Sequence, residues 1–463
     1  MDAWLEKFSW VKRMTPAQQI AVSFVFVITT GALLLWLPIS NKIEGTGFID
    51  HLFTSTSAVC VTGLASVIPI VQYTVFGQFI MILLMQIGGL GLMTLIAVFL
   101  IFVGGKLSHT EKLAMAEAVN RPTLGNLGHF LKFILIYTAI FEGTGVFLLS
   151  LRFIPQFGFA SGLYKALFVA VSAFCNAGFD NLATDNLVGY VNDPLVSLTV
   201  ATLIIMGGLG FSVWFDLTQG AKSILKRKIT FRSAVRHLRP HSKLVLWMTG
   251  ILLASGMLFI LLVEYTNPST LQPLSFGSKL LASYFQSATL RTAGFSTVNI
   301  GLLRPFTQFI MMIYMFIGGS PGGTAGGIKT TTFAILVLMI VAEIRGRSEV
   351  VIFGRSIPRE TFRKSFIIFF MLLTTLFSGI LLLTLTEQAD FLTLAFEATS
   401  AIGTVGLSMG ITPNLTNLGK SIIIALMYLG RIGPLTLILS LGRSHHNAKI
   451  NEIKYPNADI LIG

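Results

Sequence analysis

The sequence predicts an all-α integral membrane protein with four M1–P–M2 repeats, eight transmembrane helices plus four re-entrant pore helices, around one pseudo-fourfold pore. Three observations carry that expectation. Of the 463 residues 53% are hydrophobic and only 11% charged, with a mean hydropathy of +0.78, against about 25% charged residues in a soluble domain. Eight apolar runs approach or exceed the ~20 residues a spanning helix needs. Four shorter segments end at glycines spaced 115, 116 and 112 residues apart.

The apolar runs are 20–38, 77–103, 131–151, 195–215, 244–263, 306–342, 366–385 and 420–441. The first is too long for a signal-peptide core and no A-x-A site follows it, so it reads as a span. An even number of spans leaves both termini on one side. The N-terminal segment, the loops 104–132, 218–243 and 343–364, and the tail together hold 24 of the 33 Lys and Arg residues. The positive-inside rule makes them cytoplasmic, in a multi-pass protein of the cytoplasmic (plasma) membrane with both termini inside. Topology and contact with anionic membrane lipid account for the net charge of +13. No stacking aromatics interleave the basic residues, so nucleic acid is not an expected partner.

Between successive spans of each pair lie "HLFTSTSAVCVTGLASV", "KALFVAVSAFCNAGFDN", "LLASYFQSATLRTAGFSTV" and "LAFEATSAIGTVGLSMG". About 10–14 helical residues in each are too few to cross, the length of a re-entrant segment. They reach Gly63, Gly178, Gly294 and Gly406. A second small-residue cluster follows 25, 29, 24 and 24 residues later, at Gly88, Gly207, Gly318 and Gly430. This is an internal repeat. It divides the chain into a cytoplasmic segment 1–19, repeat 1 at 20–103, basic loop and repeat 2 at 104–217, basic loop and repeat 3 at 218–342 with an intramembrane loop at 318–327, loop and repeat 4 at 343–441, and a cytoplasmic tail 442–463.

Irregular backbone at membrane depth survives only when buried in protein or lining water. Four such turns are expected to face one another around an axis. Glycine permits positive φ and close approach, so carbonyls can replace a cation's hydration shell. Each pore helix also aims its partially negative C-terminus at that place. The candidate filter residues are Val61, Thr62 and Gly63; Asn176, Ala177 and Gly178; Thr292, Ala293 and Gly294; and Thr404, Val405 and Gly406. An ordinary inter-helix turn explains any one of them, but not four in register.

The stretch "GGSPGGTAGGIKTTT" from Gly318 interrupts the sixth span. Gly322 and Gly327 have P-loop spacing, but Ile328 stands where the lysine must be. Glycine costs about 1 kcal/mol and proline ~3 within a helix, so the helix unwinds here. A gate built from Gly318, Gly319, Gly322, Gly323, Gly326, Gly327 and Lys329 is one reading; a static kink is the other. The remaining second helices carry at most a brief glycine pair, so this loop is expected to break the fourfold symmetry. Arg431 lies within an apolar run, where a central Arg costs ~2.5–3.5 kcal/mol unless it faces protein or water. It suits an electrostatic barrier beneath a cation filter, a structural ion pair, or both. Arg291 and Glu397 are expected to pair and brace the filter, with Glu397 as an ion ligand in the alternative. Asp180 suits a cation-attracting vestibule or a solvated loop. Glu142 faces protein or pore. Cys60 and Cys175 read as small buried pore-helix residues.

Two cysteines and scattered histidines give no metal spacing, and no carboxylate, histidine or nucleophile cluster marks an enzyme. A carrier with inverted halves does not fit repeats of one orientation. On the glycine quartet, the "GGSPGGTAGGIKT" break and the arginine of "YLGRIGP", the chain resembles the Trk/Ktr/HKT superfamily of potassium transporters, most closely KtrB-type membrane subunits. The resemblance covers all four repeats and the tail ending "NADILIG". It implies a potassium filter at Gly63, Gly178, Gly294 and Gly406, sodium-stimulated uptake of potassium by symport, a homodimer, and a cytosolic nucleotide-binding regulatory ring of KtrA type. It implies no cofactor on this chain, only transported K+ and possibly Na+. In plant relatives a serine replaces the first glycine of sodium-preferring members, so Gly63 favours potassium. The filter lacks the longer T-V-G-Y-G of potassium channels, so fewer carbonyl layers are expected. A sodium-conducting or poorly selective transporter of the same fold is the alternative.

Overall fold

The computed structural model describes residues 15–91 and 127–433, apart from 183–185, 228–229 and 348. The first fourteen residues, the far ends of the second and eighth spans, most of the first basic loop and the tail with its "NADILIG" ending lie outside the described residues. Repeat 1 comprises α1 (Pro16–Trp36), pore helix α2 (Phe48–Val59) and α3 (Val75–Leu90). Repeat 2 comprises α4 (Leu127–Phe157), pore helix α5 (Phe159–Cys175) and α6 (Pro194–Gly208), followed by α7 (Phe211–Leu225). After α8 (Phe231–His237), repeat 3 comprises α9 (Pro240–Glu264), pore helix α10 (Phe276–Thr289), α11 (Pro305–Phe316) and α12 (Thr330–Ile344). A small hairpin, β1 (Val351–Ile352) with β2 (Arg355–Ser356), precedes repeat 4: α13 (Arg359–Thr386), pore helix α14 (Phe391–Gly403) and α15 (Asn417–Ile432).

Local chemistry sets the helix starts. Thr15 and Gln18 form a capping box ahead of Pro16. Thr74, Asp193, Ser275, Asp390 and Thr416 accept backbone N–H bonds at the starts of α3, α6, α10, α14 and α15, each cap contributing about 1 kcal/mol. α11 has no side-chain cap of its own. Instead Glu264, the last residue of α9, accepts the Arg304 N–H at 3.0 Å and the Thr307 hydroxyl, joining the two helices of repeat 3. Glu387 does the same for Thr416 in repeat 4.

The distribution of polarity is that of a membrane protein. The first helix of each repeat, α1, α4, α9 and α13, is long and apolar enough to cross a bilayer. These helices turn Phe26, Ile136, Leu262 and Leu385 outward, while the pore helices bury Thr54, Ser57, Ser172, Ser283 and Ser400. Apolar surface faces lipid and polar groups face one another inside.

The second helices differ from the expectation in an instructive way. The expected straight span 195–215 ends at Gly208 and turns by 99° into α7. α3 and α15 likewise stop where Gly91 (φ 82°) and Gly433 (φ 85°) take up the left-handed region, as Gly210 (φ 91°) does in repeat 2. Among the described residues the break in repeat 3, between Phe316 and Thr330, is longer than that in repeat 2, between Gly208 and Phe211. Just before the ends of α3, α6 and α15 the packing is close: Gly88, Gly207 and Gly430 press against the carbonyls of Val59, Phe174 and Ile402, four residues before the candidate filter glycines Gly63, Gly178 and Gly406, where any Cβ would collide.

Packing closes the repeats into a ring. α3 rests on pore helix α5, α6 on α10, α11 on α14, and α15 on α2, so each second helix supports the pore helix of the next repeat and the last returns to the first. Between α15 and α2, Lys420 Nζ meets Asp50 Oδ1 at 2.7 Å with both side chains largely buried.

Candidate functional site

The four pore helices end together, and the strands that follow share one backbone rule. Val61, Asn176, Thr292 and Thr404 all have positive φ, at 49°, 59°, 65° and 51°. Two residues later Gly63, Gly178, Gly294 and Gly406 do too, at 97°, 74°, 77° and 92°. Thr62, Ala177, Ala293 and Val405 between them do not. In an extended strand successive carbonyls point to opposite sides; alternating the sign of φ turns them to the same side. The conformation is costly for L-residues, about 1–2 kcal/mol each, and three of the four leading residues are β-branched. Left-handed non-glycine residues concentrate where surrounding structure over-determines them.

Here the pore helices over-determine them through the N–H groups. Thr62 N, Ala177 N and Val405 N donate to the carbonyls of Ser57, Ser172 and Ser400, each at 2.8 Å, and Ala293 N donates to Thr289 O at 3.0 Å. Gly63 N and Gly406 N donate to the hydroxyls of Ser57 and Ser400 at 3.0 Å. These donors are thus turned back into protein. Leu64, Phe179, Phe295 and Leu407 follow the glycines and are buried, wedging each strand inward.

The four glycines meet. A Cβ on Gly63 would lie 2.7 Å from the Ala177 carbonyl oxygen, one on Gly178 2.7 Å from that of Ala293, and one on Gly294 2.7 Å from that of Val405; one on Gly406 would strike the Thr62 carbonyl. The contacts run 63 to 178 to 294 to 406 and back to 63. The structure brings all twelve candidate filter residues to this one place.

The loop from Gly318 to Lys329 lies directly against the ring. Its backbone is bonded to the break in repeat 2, with Ser320 N on Gly208 O at 2.9 Å, Thr324 N on Gly207 O at 3.2 Å, and Phe211 N on Gly322 O at 3.0 Å. Gly326 is packed on Thr404, and Gly327 on the Gly403 carbonyl. Lys329 Nζ donates to Ala325 O at 2.7 Å within the loop. Arg431 donates through Nη1 to Thr324 O and through Nη2 to Gly88 O. Among the described residues it forms no ion pair, so the structural role is filled by peptide carbonyls, and the positive charge stays uncompensated.

Arg291 and Glu397 do not pair. Glu397 accepts from the Ser408 hydroxyl at 2.8 Å and from the Thr412 hydroxyl, while no side-chain nitrogen of Arg291 has a partner among the described residues. The reason is level: Glu397 precedes its filter glycine by six residues more than Arg291 does, about 9 Å along a helix. Asp180 is buried and accepts from Leu182 N at 3.0 Å. Glu142 faces protein, joining repeats 1 and 2 through Gln86 Nε2 at 3.3 Å and the Cys175 thiol. Cys60 and Cys175 are both buried and free.

Three features went unread in the sequence. The left-handed residues before the filter glycines carry no local signal except at Asn176, a residue type tolerant of that region. Glu264 and Glu387, the caps on the second helices, could have been found as lone carboxylates ending matching spans. Gly31, Gly145, Gly256 and Gly379, one on each first helix, pack closely on the side-chain ends of Leu84, Leu203, Ser287 and Leu426, a small-residue pattern at helix contacts in membranes.

Comparison with known proteins gives a consistent result. The family described as TrkH, cation transport protein, matches residues 4–453. Over 454 residues the chain is 43% identical to the Ktr system potassium uptake protein B of Bacillus subtilis, with 98% of each chain covered. Identity is 40% over 447 residues to the protein of that name from Vibrio alginolyticus, covering 96% of this chain and 94% of that one. It is 38% over 457 residues to the potassium/sodium uptake protein NtpJ of Enterococcus hirae, 98% of each. The crystal structure of the potassium transporter TrkH from Vibrio parahaemolyticus aligns with a TM-score of 0.69 at 17% identity, over 91% of this chain and 84% of that one, a likeness of fold.

Proposed function

The chain belongs to the TrkH family of cation transport proteins, which are not enzymes, and from that premise we propose that it is the ion-translocating subunit of a potassium uptake system. The observation that carries this reading is the closed ring of four glycines, with N–H groups turned into the pore helices and carbonyls left free. Potassium crosses as a dehydrated ion held by carbonyls near Gly63, Gly178, Gly294 and Gly406, with no carboxylate needed. A membrane potential supplies about 2.3 kcal/mol per charge per 100 mV, enough to favour inward movement.

The glycine loop is the gate in this reading. It lies against the ring and is held by Arg431, whose unpaired charge also lowers cation occupancy there. A cytosolic nucleotide-binding ring, two copies of the chain, sodium stimulation and cytoplasmic termini complete the proposal; the words "Ktr system" in the names of two relatives support a partner subunit, without giving its kind. Sodium passage is the second reading, favoured by the potassium/sodium relative.

The test is expression in cells lacking their own potassium uptake, with rubidium and sodium entry measured separately, with and without a cytosolic partner. Rubidium entry well above sodium entry is expected; sodium entry equal to or above it selects the second reading, and entry of neither overturns both. Deleting Gly322–Gly326 raises the transport rate if the loop is a gate, and an unchanged rate in inserted protein rejects that role.

A further inference from the structure

Thr324 occupies the centre of the glycine loop, and it is wholly buried. Each of its polar atoms is engaged by a different part of the molecule. Its N–H donates to Gly207 O of α6 at 3.2 Å, and its carbonyl accepts from Arg431 of α15. Its hydroxyl lies 3.1 Å from Asn176 Oδ1 and 3.2 Å from Phe174 O. Asn176 is itself a filter residue, left-handed at φ 59° and ψ 41°. The other end of its amide is also tied, since Nδ2 donates to Arg291 O at 3.2 Å, three residues before Gly294. Gly207 leaves this contact its space: a Cβ there would lie 2.8 Å from Thr324 Oγ1 and 2.9 Å from Asn176 Oδ1.

No other filter residue at the matching position has such an anchor. Val61 cannot make one, and the hydroxyls of Thr292 and Thr404 have no hydrogen-bond partner among the described residues. One side-chain amide therefore spans from the loop to the strands of repeats 2 and 3.

We propose that Thr324 and Asn176 form a latch through which the position of the intramembrane loop sets the ion discrimination of the glycine ring. The proposal rests on the reading of the loop as a gate and deepens it. Asn176 is the positioning residue. While Thr324 holds its oxygen, the amide fixes the left-handed turn ahead of Gly178 and the carbonyl of Arg291 ahead of Gly294. When the loop leaves the pathway, Thr324 leaves with it, and both turns lose that restraint. Ring geometry, and with it the preference between cations of different radius, then differs between the closed and conducting states. Coupling of this kind is reciprocal, so the ion in the ring also biases the loop.

The test uses the full chain in proteoliposomes, with rubidium and sodium fluxes measured for the parent, Thr324→Val, Thr324→Ser, Asn176→Gly, the double variant Thr324→Val with Asn176→Gly, and the Gly322–Gly326 deletion. Loss of one buried hydrogen bond is worth about fivefold, so Thr324→Val shifts the rubidium-to-sodium ratio by about that factor, while Thr324→Ser keeps the parent ratio. Asn176→Gly preserves the left-handed turn and shifts the ratio too, and the double variant shifts it no further. An unchanged ratio in Thr324→Val, or shifts that multiply in the double variant, overturns the latch. If Asn176→Gly fails to fold, the Val and Ser variants at 324 decide alone. The gate is judged separately by rate. A deletion that speeds flux while Thr324→Val leaves the ratio unchanged keeps the gate and removes the latch. A ratio shift in Thr324→Val without faster flux in the deletion overturns both, leaving Thr324 and Asn176 as a static contact that shapes the ring.

Discussion

Gly178 shows how much the ring depends on single backbone positions. Its φ of +74° lies where L-residues are rarely found, and a Cβ would lie 2.7 Å from the Ala293 carbonyl and 2.9 Å from Gly294 Cα. A side chain there must displace two neighbouring strands. Gly178→Ser is expected to lower rubidium uptake by roughly tenfold or more, from left-handed strain of about 1–2 kcal/mol with the clash added, and to narrow the margin over sodium. Gly143→Ala on α4 is the control: nothing lies within 4 Å of its Cβ position, and uptake should be unchanged. Flux assays on the two purified variants read both outcomes. The glycine itself was legible from fourfold spacing. The left-handed residue two places earlier was not, because valine and threonine disfavour that conformation and adopt it here only through the tie of the following N–H to the pore helix.

Among the elements, the second helices are shaped by contacts with the pore helices rather than by propensity alone. Gly88 and Gly430 have no space between their Cα atoms and the carbonyls of Val59 and Ile402. In an exposed helix, replacing glycine by alanine is favourable by roughly 0.5–1 kcal/mol. Here the sign reverses: Gly88→Ala and Gly430→Ala should each lower the melting temperature of detergent-solubilised protein by several degrees, as overpacking of about 1–3 kcal/mol does. A rise in melting temperature would contradict the packing. The glycine clusters were visible in the sequence as a repeat. Their purpose was not, since the reason for small size is a carbonyl 28 to 33 residues earlier in the chain.

At the scale of the whole molecule, the proposed pathway requires that four covalently linked repeats close into a ring with no covalent link between the last and the first. The contact of α15 with α2 makes that closure, and Lys420 with Asp50 is its ion pair, at 11% and 14% side-chain exposure. Removing one partner leaves a poorly hydrated charge behind, which costs up to about 3–5 kcal/mol when burial is complete. Asp50→Ala should therefore lower the melting temperature, and Asp50→Leu with Lys420→Met should recover most of the loss. Equal melting temperatures for all three proteins would show that closure does not depend on this pair. Arg291 and Glu397 illustrate the opposite case. Sequence position suggested a brace across the ring, but the two groups lie at different heights: Glu397 accepts from Ser408 and Thr412, and no side-chain nitrogen of Arg291 has a partner among the described residues.

Periodicity and composition alone determined the membrane class, the four repeats, the first helix of each and the glycines at each turn. Those features are local or recur at fixed intervals, and hydrocarbon thickness and glycine's missing Cβ constrain them without reference to any partner. Tertiary structure decided the handedness before each glycine, the bend of α6, the bonding of Arg431 to carbonyls of Thr324 and Gly88, and the contact of Thr324 with Asn176. The handedness follows from a tie reaching four or five residues back to the pore helix, while the other three join, or are bonded across, groups more than a hundred residues apart, and no one-dimensional pattern encodes which buried donor meets which acceptor when four similar repeats pack around one axis.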